Sequence, residues 1–344
     1  MRNNKNYSLN IKSQIIIFAL FFWLSFSTSI DLFRKIDPDF ISPIYLSMSN
    51  DDYNVRPTMK YRFLIPKLVS SVKNIFPKLK YENLDENEEI YKNEHSRFIF
   101  FAINNLISTI AAFITFFYLL DLGMGFFGAI LGVIIFLTSR AIVLSNGLPM
   151  IDSLQYLSLA LYSKLITNKN KTTLAFLFPF MAIVKETISP LVFITAFRNM
   201  RKHKLFIFSI FASLLFILTV RSTIDELSSG IQMDNYLYSL NIYEIFTLHL
   251  PNIKYNLISF FSIKGIYKFS YTFGPYILLS VLGFIENKNK KDFYLSHDIL
   301  ILIPYSILFS LLSKDIGRIL FISFPVVIPY SVYFINNRIK SFSR

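Results

Sequence analysis

Apolar residues occur along the chain in runs of about 15 to 23 residues, and short charged stretches separate these runs. A helix rises about 1.5 Å per residue, so runs of this length match the roughly 30 Å hydrocarbon core of a bilayer. Backbone groups in hydrocarbon need internal hydrogen-bond partners, and the runs lack the alternating pattern of barrel strands. The pattern therefore predicts an all-α fold, a polytopic transmembrane helical bundle.

The runs predict a series of membrane spans within a single integral membrane domain, 1–344. The expected spans are 14–30, 98–120, 124–139, 151–166, 205–220, 269–285, 299–313 and 319–335. We interpret the first span as an uncleaved anchor, because no clean Ala-x-Ala-type cleavage site follows it. Two hydrophilic segments are expected outside the membrane: a long first outer loop, 31–97, carrying short helices, and a second outer segment, 221–268.

The stretch 173–197 is ambiguous, because Lys185-Glu186-Thr187 and two prolines interrupt its apolar residues. A hairpin of two passes gives about ten passes in total, with both termini in the cytoplasm. The inside segments then hold 16 Lys and Arg against 4 Asp and Glu, as the positive-inside rule expects. A single pass would turn the basic 198–204 loop outward, so we expect the hairpin.

Charge and composition narrow the possible function classes. The formal net charge is +13, but the excess lies in short loops where it sets topology, so we expect no nucleic-acid partner. Because the chain has no Cys, thiol catalysis, disulfides and Cys-ligated zinc are excluded. The four His are scattered without the spacing of metal ligands.

The predicted topology places several unusual charged groups on the membrane face opposite the basic loops. They lie in the first outer loop, at the tip of the predicted hairpin, and at the outer end of the penultimate connection. Ionisable groups near membrane depth are costly and therefore functional candidates. The candidate site residues are Asp51, Asp52, Lys60, Arg62, Lys185, Glu186, Asp315 and Arg318.

Each of these groups also has a purely structural interpretation. The two acidic residues of the first loop suit a solvated turn or a helix N-cap, and the two cations after them suit interfacial anchors. The charges at the hairpin tip suit an ion pair, and the 315/318 pair suits an i,i+3 salt bridge. Asp152, which follows Pro149 at the outer start of a span, suits a helix cap.

The common location of these groups favours one kind of chemistry. An outer carboxylate can act as general base on an acceptor hydroxyl. Arg and Lys nearby can hold a lipid-linked phosphate or diphosphate leaving group and stabilise its growing charge. The polyprenyl tail of such a donor would lie between the spans, which is why the reaction needs a membrane enzyme.

This architecture resembles the GT-C superfamily of polytopic glycosyltransferases, as found in bacterial surface-polysaccharide loci, which use polyprenyl-phosphate sugar donors. The resemblance rests on an early span, a long acidic first outer loop, and the stretches 60–66, 185–187 and 315–318. It implies that Asp51 or Asp52 is the catalytic base. The chain departs from the family in having no clear Asp-x-Asp motif, which leaves metal dependence and the donor's identity open.

The resemblance implies a lipid-linked sugar donor, a glycan or lipid acceptor, and membrane lipids as partners. It also implies a bacterial inner or plasma membrane. Carboxylates and water suit Mg²⁺ or Mn²⁺, but the sequence does not place metal ligands. Two alternatives remain: a polysaccharide polymerase or ligase acting on lipid-linked oligosaccharides, and a transporter or flippase built around the proline-containing hairpin.

Overall fold

The computed structural model describes residues 9–35, 43–53, 61–75, 88–185, 187–227, 253–263, 272–312 and 316–342. Regular structure in these ranges is helical throughout. The named helices are α1 (Ile11–Lys35), α2 (Pro43–Ser49), α3 (Leu64–Val72), α4 (Glu88–Asp121), α5 (Gly125–Thr138), α6 (Arg140–Gly147), α7 (Asp152–Thr167), α8 (Lys171–Val184), α9 (Ser189–Met200), α10 (Leu205–Leu227), α11 (Tyr276–Lys290), α12 (His297–Leu300), α13 (Leu302–Leu312), α14 (Ile316–Leu320) and α15 (Phe324–Phe342), with a 3₁₀ turn at Phe321–Ser323 before α15.

Four stretches of helix in the described ranges are long and apolar enough to cross a membrane: Ile11–Arg34, Glu94–Asp121, Leu205–Glu226 and Gly317–Ser341. Helices α5 and α6 together make a fifth, bent by 55° between them. Helix α8 and the pair α12–α13 are apolar but shorter. The predicted all-α fold with membrane-length helices is therefore confirmed, with four or five full-length candidates in the described ranges. The total of about ten passes stays a prediction.

The interior of the bundle is built around α4 and α15. Helix α4 packs against α1, α5, α6 and α7, and α15 packs against α5 and α11. The apolar window of Gly317–Ser341 is 83% buried, whereas that of Leu205–Glu226 is 17% buried. Helix α10 thus lies at the periphery, where its exposed apolar side chains suit contact with lipid.

Small residues allow two of these helix pairs to approach closely. A Cβ atom added at Gly283 of α11 would stand 2.1 Å from the backbone oxygen of Tyr330 in α15. At Gly132 of α5, an added Cβ would stand 2.2 Å from Leu119 of α4 and 3.2 Å from Ile328 of α15. Space alone therefore requires glycine at Gly283, where the neighbour is backbone, whereas a larger residue at Gly132 would first displace the end of the Leu119 side chain.

A buried polar network fixes α1 to the bundle. The amide oxygen of Asn105 in α4 accepts hydrogen bonds from Ser25 (2.8 Å) and Ser29 (3.0 Å) of α1. Asn146 of α6 donates to Ser25 (2.9 Å) and accepts from Ser108 of α4 (2.7 Å). Interhelical hydrogen bonds of this kind hold helices together where lipid offers no polar partner.

The ambiguous stretch 173–197 forms a hairpin of two antiparallel helices, α8 and α9. The start of α8 and the end of α9 meet, since Lys171 Nζ donates to Asn199 Oδ1 at 2.9 Å. Between the helices, Lys185 adopts an extended backbone conformation that ends α8. The chain therefore folds back as expected, with Lys185 at the tip of the hairpin, whereas a membrane crossing by each of the two helices stays a prediction.

Five short segments lie together at one end of the bundle: 121–125, 164–171, 198–204, 286–298 and 336–342. We call it the basic end, because Lys and Arg outnumber Asp and Glu in these segments taken together. The contacts that join these segments are Lys164 with Asp121, Lys171 with Asn199, Arg198 with Asp298, Arg338 with Glu286, and Asn336 with the backbone oxygen of Met124. Tyr162 completes the set by donating to the backbone oxygen of Asp298 at 2.9 Å. The hairpin tip lies at the other end.

Candidate functional site

Asp152 is the first residue of α7, and a turn held by α4 places it there. The amide of Asn104 in α4 donates to the backbone oxygen of Met150 at 3.0 Å and accepts from Ser153 Oγ at 2.6 Å. These bonds satisfy polar groups of the turn and fix the start of α7 against the central helix. The Asp152 side chain is 1% exposed, so its charge requires partners inside the protein.

Lys185 supplies the first of these partners. Its Nζ donates to Oδ1 of Asp152, and its side chain is 7% exposed. The residues after Lys185 are also pinned: Thr187 Oγ1 donates to Gln155 Oε1 at 3.3 Å, and Tyr305 of α13 donates to the Thr187 backbone oxygen at 2.5 Å. The hairpin tip is therefore held from both α7 and α13.

Arg318 supplies the second partner, on the other oxygen of the same carboxylate. Its Nη1 donates to Oδ2 of Asp152 at 2.9 Å and contacts the sulfur of Met150 at 3.0 Å. The Arg318 side chain is partly exposed. Asp152 thus joins two cations from opposite parts of the fold, the hairpin tip and α14.

Arg62 brings a third positive charge to this group. Its charge interacts with both Asp152 and Lys185, and its Nη1 donates to the Tyr45 hydroxyl at 3.2 Å. The preceding residue, Tyr61, is held by α10 because its hydroxyl donates to Asp225 at 2.9 Å. We call Asp152, Lys185, Arg318 and Arg62 the Asp152 cluster; it holds three cations and one carboxylate.

A buried amide with an unused donor lies beside the cluster. Gln155 is one turn after Asp152 on the same face of α7, and it is 1% exposed. Its Oε1 accepts from Thr187, but its Nε2 has no hydrogen-bond partner among the residues that the structure describes. A buried donor without a partner costs about 1–3 kcal/mol, so this amide is suited to bind a water or a ligand oxygen.

Asp51 has a separate environment in the first outer loop. Its Oδ1 accepts from Lys67 Nζ at 2.9 Å and its Oδ2 from Ser70 Oγ at 3.0 Å, both in α3. The hydrogen bond from Lys67 lowers the pKa of Asp51 below its ordinary value of 3.8, against the opposing effect of burial. The same bond raises the pKa of Lys67. Among described residues, none of the contacts of Asp51 reaches Lys185 or Arg318.

The structure therefore brings together three of the eight predicted site residues. Arg62, Lys185 and Arg318 join the Asp152 cluster. Asp51 and Asp52 lie together at the exposed turn after α2. Lys60, Glu186 and Asp315 lie outside the described residues.

Asp152 lies at the centre of this cluster, although the sequence favoured a helix cap for it. It is the first residue of α7 and its carboxylate binds cations rather than the helix N-terminus. The available signal was its position: a carboxylate near membrane depth is costly unless a cation pairs with it. The sequence therefore indicates that Asp152 needs a cation as a partner, but it does not show that Lys185 and Arg318 lie close enough to bind it.

The arrangement is suited to binding an anion. Within the described ranges there is no group of three His, Asp or Glu side chains that could hold a metal ion. The Asp152 cluster instead offers ammonium and guanidinium donors, which favour phosphate and carboxylate oxygens.

Comparison with known proteins adds no relative: no family model matches the chain, and neither a curated protein nor a solved structure does.

Proposed function

We propose that the protein is a membrane glycosyltransferase that moves a sugar from a polyprenyl-phosphate donor to an acceptor on the non-cytoplasmic face of the membrane. The observation that carries this proposal is the charge of the Asp152 cluster. Among the described residues, Lys185 and Arg318 bind the two oxygens of the Asp152 carboxylate, and the charge of Arg62 acts on the same carboxylate, in a largely buried place. A phosphate or diphosphate has the charge and the oxygen atoms to complement it.

The meeting of cations from three parts of the chain distinguishes this cluster from a single structural ion pair. A buried pair such as Lys185 with Asp152 needs only one cation. Arg318 and Arg62 bring guanidinium donors to the same place, and such donors suit the oxygens of a phosphate. The partly exposed side chain of Arg318 leaves the cluster open to such an anion.

The residues of the cluster take different parts in the proposed reaction. Lys185 and Arg318 hold the donor phosphate and stabilise the charge that grows on it as the sugar leaves. Asp152 is a positioning residue, because both of its oxygens are occupied by these cations and it is a poor proton acceptor. The resemblance to GT-C enzymes assigns the general base to Asp51 or Asp52. Both oxygens of Asp51 accept hydrogen bonds from Lys67 and Ser70, so Asp52 is the proposed base.

We further propose about ten passes, with both termini cytoplasmic and the basic end at the cytoplasmic face. In support, the positive-inside rule favours that face for the gathered Lys and Arg. Asn104, which holds the turn before Asp152, precedes the end of α4 at Asp121 by about 25 Å of helix axis. In a hydrocarbon core of roughly 30 Å, the Asp152 cluster then lies near the outer boundary.

Reconstituted protein tests the proposal directly. Proteoliposomes that contain the chain receive a radiolabelled polyprenyl-phosphate sugar and a lipid-linked acceptor, and sugar transfer is measured. We expect transfer by the native chain and its loss in Lys185→Met, whereas Arg198→Gln at the basic end keeps it. If panels of donors and acceptors give no transfer while the donor lipid crosses the bilayer, the protein is a transporter and the proposal is wrong.

Product length separates the transferase from a polymerase or ligase, which would use the same phosphate-binding cations. A transferase adds one sugar to each acceptor, so the product is one residue longer. A polymerase joins whole oligosaccharide units, so the product grows in steps of a repeat. Mass spectrometry of the lipid-linked product reads this difference.

A further inference from the structure

A cavity of about 340 Å³ lies between the α5–α6 break and the turn before α11. Helix α5 begins at the basic end, and α11 finishes there. The cavity lies where α5 finishes and α11 begins, so it is at the opposite end of the bundle, together with the hairpin tip. The residues that line it and matter for binding are Thr138, Ser139, Arg140, Thr272, Phe273 and Tyr276.

The walls of this cavity are firmly built. The chain bends by 55° between α5 and α6, and Ser139, in extended conformation there, donates its hydroxyl to the backbone oxygen of Phe136 at 2.7 Å. Phe273 packs against Phe321, with ring centroids 5.2 Å apart. Gly274 has a φ of +60° and no atom within 4 Å of an added Cβ. The turn at Gly274 therefore has a conformation that favours glycine, and the space beside Gly274 is open.

The cavity adjoins the Asp152 cluster through α14. Thr272, which lines the cavity, donates its hydroxyl to the backbone oxygen of Gly317 at 3.4 Å. The next residue, Arg318, reaches the carboxylate of Asp152. One wall of the cavity is therefore tied by Thr272 to the helix that carries Arg318.

The lining has the chemistry of a site for an acidic sugar. Four hydroxyl groups line it. Those of Thr138, Ser139 and Thr272 donate to backbone oxygens, so their oxygens can accept hydrogen bonds from the hydroxyls of a glycan, and the phenol of Tyr276 can donate or accept. Phe273 and Tyr276 add aromatic surface, and the exposed guanidinium of Arg140 offers paired donors that fit a carboxylate or a phosphate. The volume falls within the roughly 300–1,000 Å³ of small-molecule sites.

We infer that this cavity is the acceptor subsite and that it binds a glycan unit carrying a carboxylate or phosphate group. The inference rests on the proposed glycosyltransferase function, which it deepens by assigning the class of acceptor. The inference is based on one observation. A guanidinium, hydroxyl groups and aromatic rings line the same cavity, which lies next to the cations proposed to hold the donor phosphate.

Binding of free sugars to the full-length chain in nanodiscs tests this inference without any turnover. The probes are methyl glucuronide, methyl glucoside 6-phosphate and neutral methyl glucoside, followed by saturation-transfer NMR. We expect at least one acidic probe to bind at least fivefold more tightly than the neutral one. Glucuronide preference identifies a carboxylate ligand and phosphate preference identifies a phosphorylated one. Equal binding of all three probes overturns the inference.

Variants connect the preference to the cavity. Arg140→Gln should lower the affinity for the preferred acidic probe about tenfold and leave neutral methyl glucoside unchanged. Arg140→Lys, which keeps the charge, should lose less, and the matched control Arg198→Gln at the basic end should lose nothing. An unchanged preference in Arg140→Gln contradicts the assignment. Thr272→Val removes one hydroxyl without touching the charge, so it should weaken all three probes alike.

The two proposals fail in different ways. If sugar transfer is absent but Arg140-dependent binding of acidic sugars is present, the glycosyltransferase proposal is wrong and the cavity is still an acidic-sugar site. If the native chain transfers sugar equally well to neutral and acidic acceptors, and Arg140→Gln does not change transfer to the acidic ones, the acceptor subsite is wrong and the transferase proposal stands.

Discussion

The ammonium group of Lys185 binds a carboxylate oxygen of Asp152, although the two residues are 33 positions apart. Lys185 reaches this position only because α8 and α9 fold back as a hairpin that puts it at the tip. Both side chains are more than nine-tenths buried. Removal of one member of such a pair leaves an uncompensated charge in the interior, which is far more costly than removal of both.

We predict that Asp152→Ala destabilises the protein by about 3–5 kcal/mol, because Lys185 then lacks its counter-ion. The double variant Asp152→Ala/Lys185→Met should recover part of this loss. The measurement is the free energy of unfolding in mixed detergent micelles. Asp121→Ala, which breaks a partly exposed pair with Lys164, is the control and should cost at most about 1 kcal/mol. Additive losses in the double variant would contradict the pairing.

Labelling of introduced cysteines tests the topology, and the native chain has no Cys to interfere. We predict that Lys202→Cys in a basic loop reacts with a membrane-impermeant maleimide only after permeabilisation. Ser71→Cys, exposed on α3, should react in intact cells. Reaction of Lys202→Cys in intact cells would place the basic end outside and invalidate the proposed orientation.

The Asp51–Lys67 bridge predicts a pH dependence of stability. The pKa of Asp51 is lowered on folding, so its contribution is present above the ordinary value of 3.8 and is lost as pH falls through the lowered value. The pair is about half exposed, so this contribution is at most about 1 kcal/mol. Thermal unfolding should show Asp51→Asn slightly less stable than the native chain at pH 7 and equal to it in strong acid. A difference that persists in a Lys67→Gln background would show that the bridge is not its source.

Packing of α11 on α15 depends on Gly283. A Cβ atom there would stand 2.1 Å from the backbone oxygen of Tyr330, so Gly283→Val must separate the two helices. We expect destabilisation of about 1–3 kcal/mol or more, as in other overpacked interiors. The thermal midpoint in detergent measures it, with Val281→Leu on the exposed side of the same helix as the control. Equal midpoints for the two variants would refute the close approach.

Much of the helical fold could be predicted from the apolar runs. The expected spans 124–139 and 151–166 correspond to α5 and α7, because membrane-length apolar runs have few alternatives to helix. The polar stretch after Arg140 was harder to predict, because it forms the helix α6 although its sequence is not a long apolar run. Its buried Asn146 is satisfied by Ser25 and Ser108, far away in sequence, and local patterns do not reveal such partners.

The sequence predicted the cations of the candidate site, but not the carboxylate of Asp152 that binds them. Lys185 and Arg318 stood out because charged residues within apolar sequence are unusual. Arg318 was expected to pair locally with Asp315, which lies outside the described residues, whereas the structure pairs it with Asp152, 166 positions away. Sequence spacing favours local pairs, and only the tertiary fold brings α7, the hairpin tip and α14 together.

The proposed function requires that the Asp152 cluster binds a lipid-linked phosphate. The direct measurement is equilibrium binding of a polyprenyl phosphate and of the matching uncharged polyprenol to the protein in nanodiscs. We predict that the phosphate binds at least tenfold more tightly than the alcohol, and that Lys185→Met and Arg318→Met each abolish this preference while Arg338→Gln keeps it. Equal binding of phosphate and alcohol by the native chain, or an undiminished preference in both cluster variants, would contradict the account.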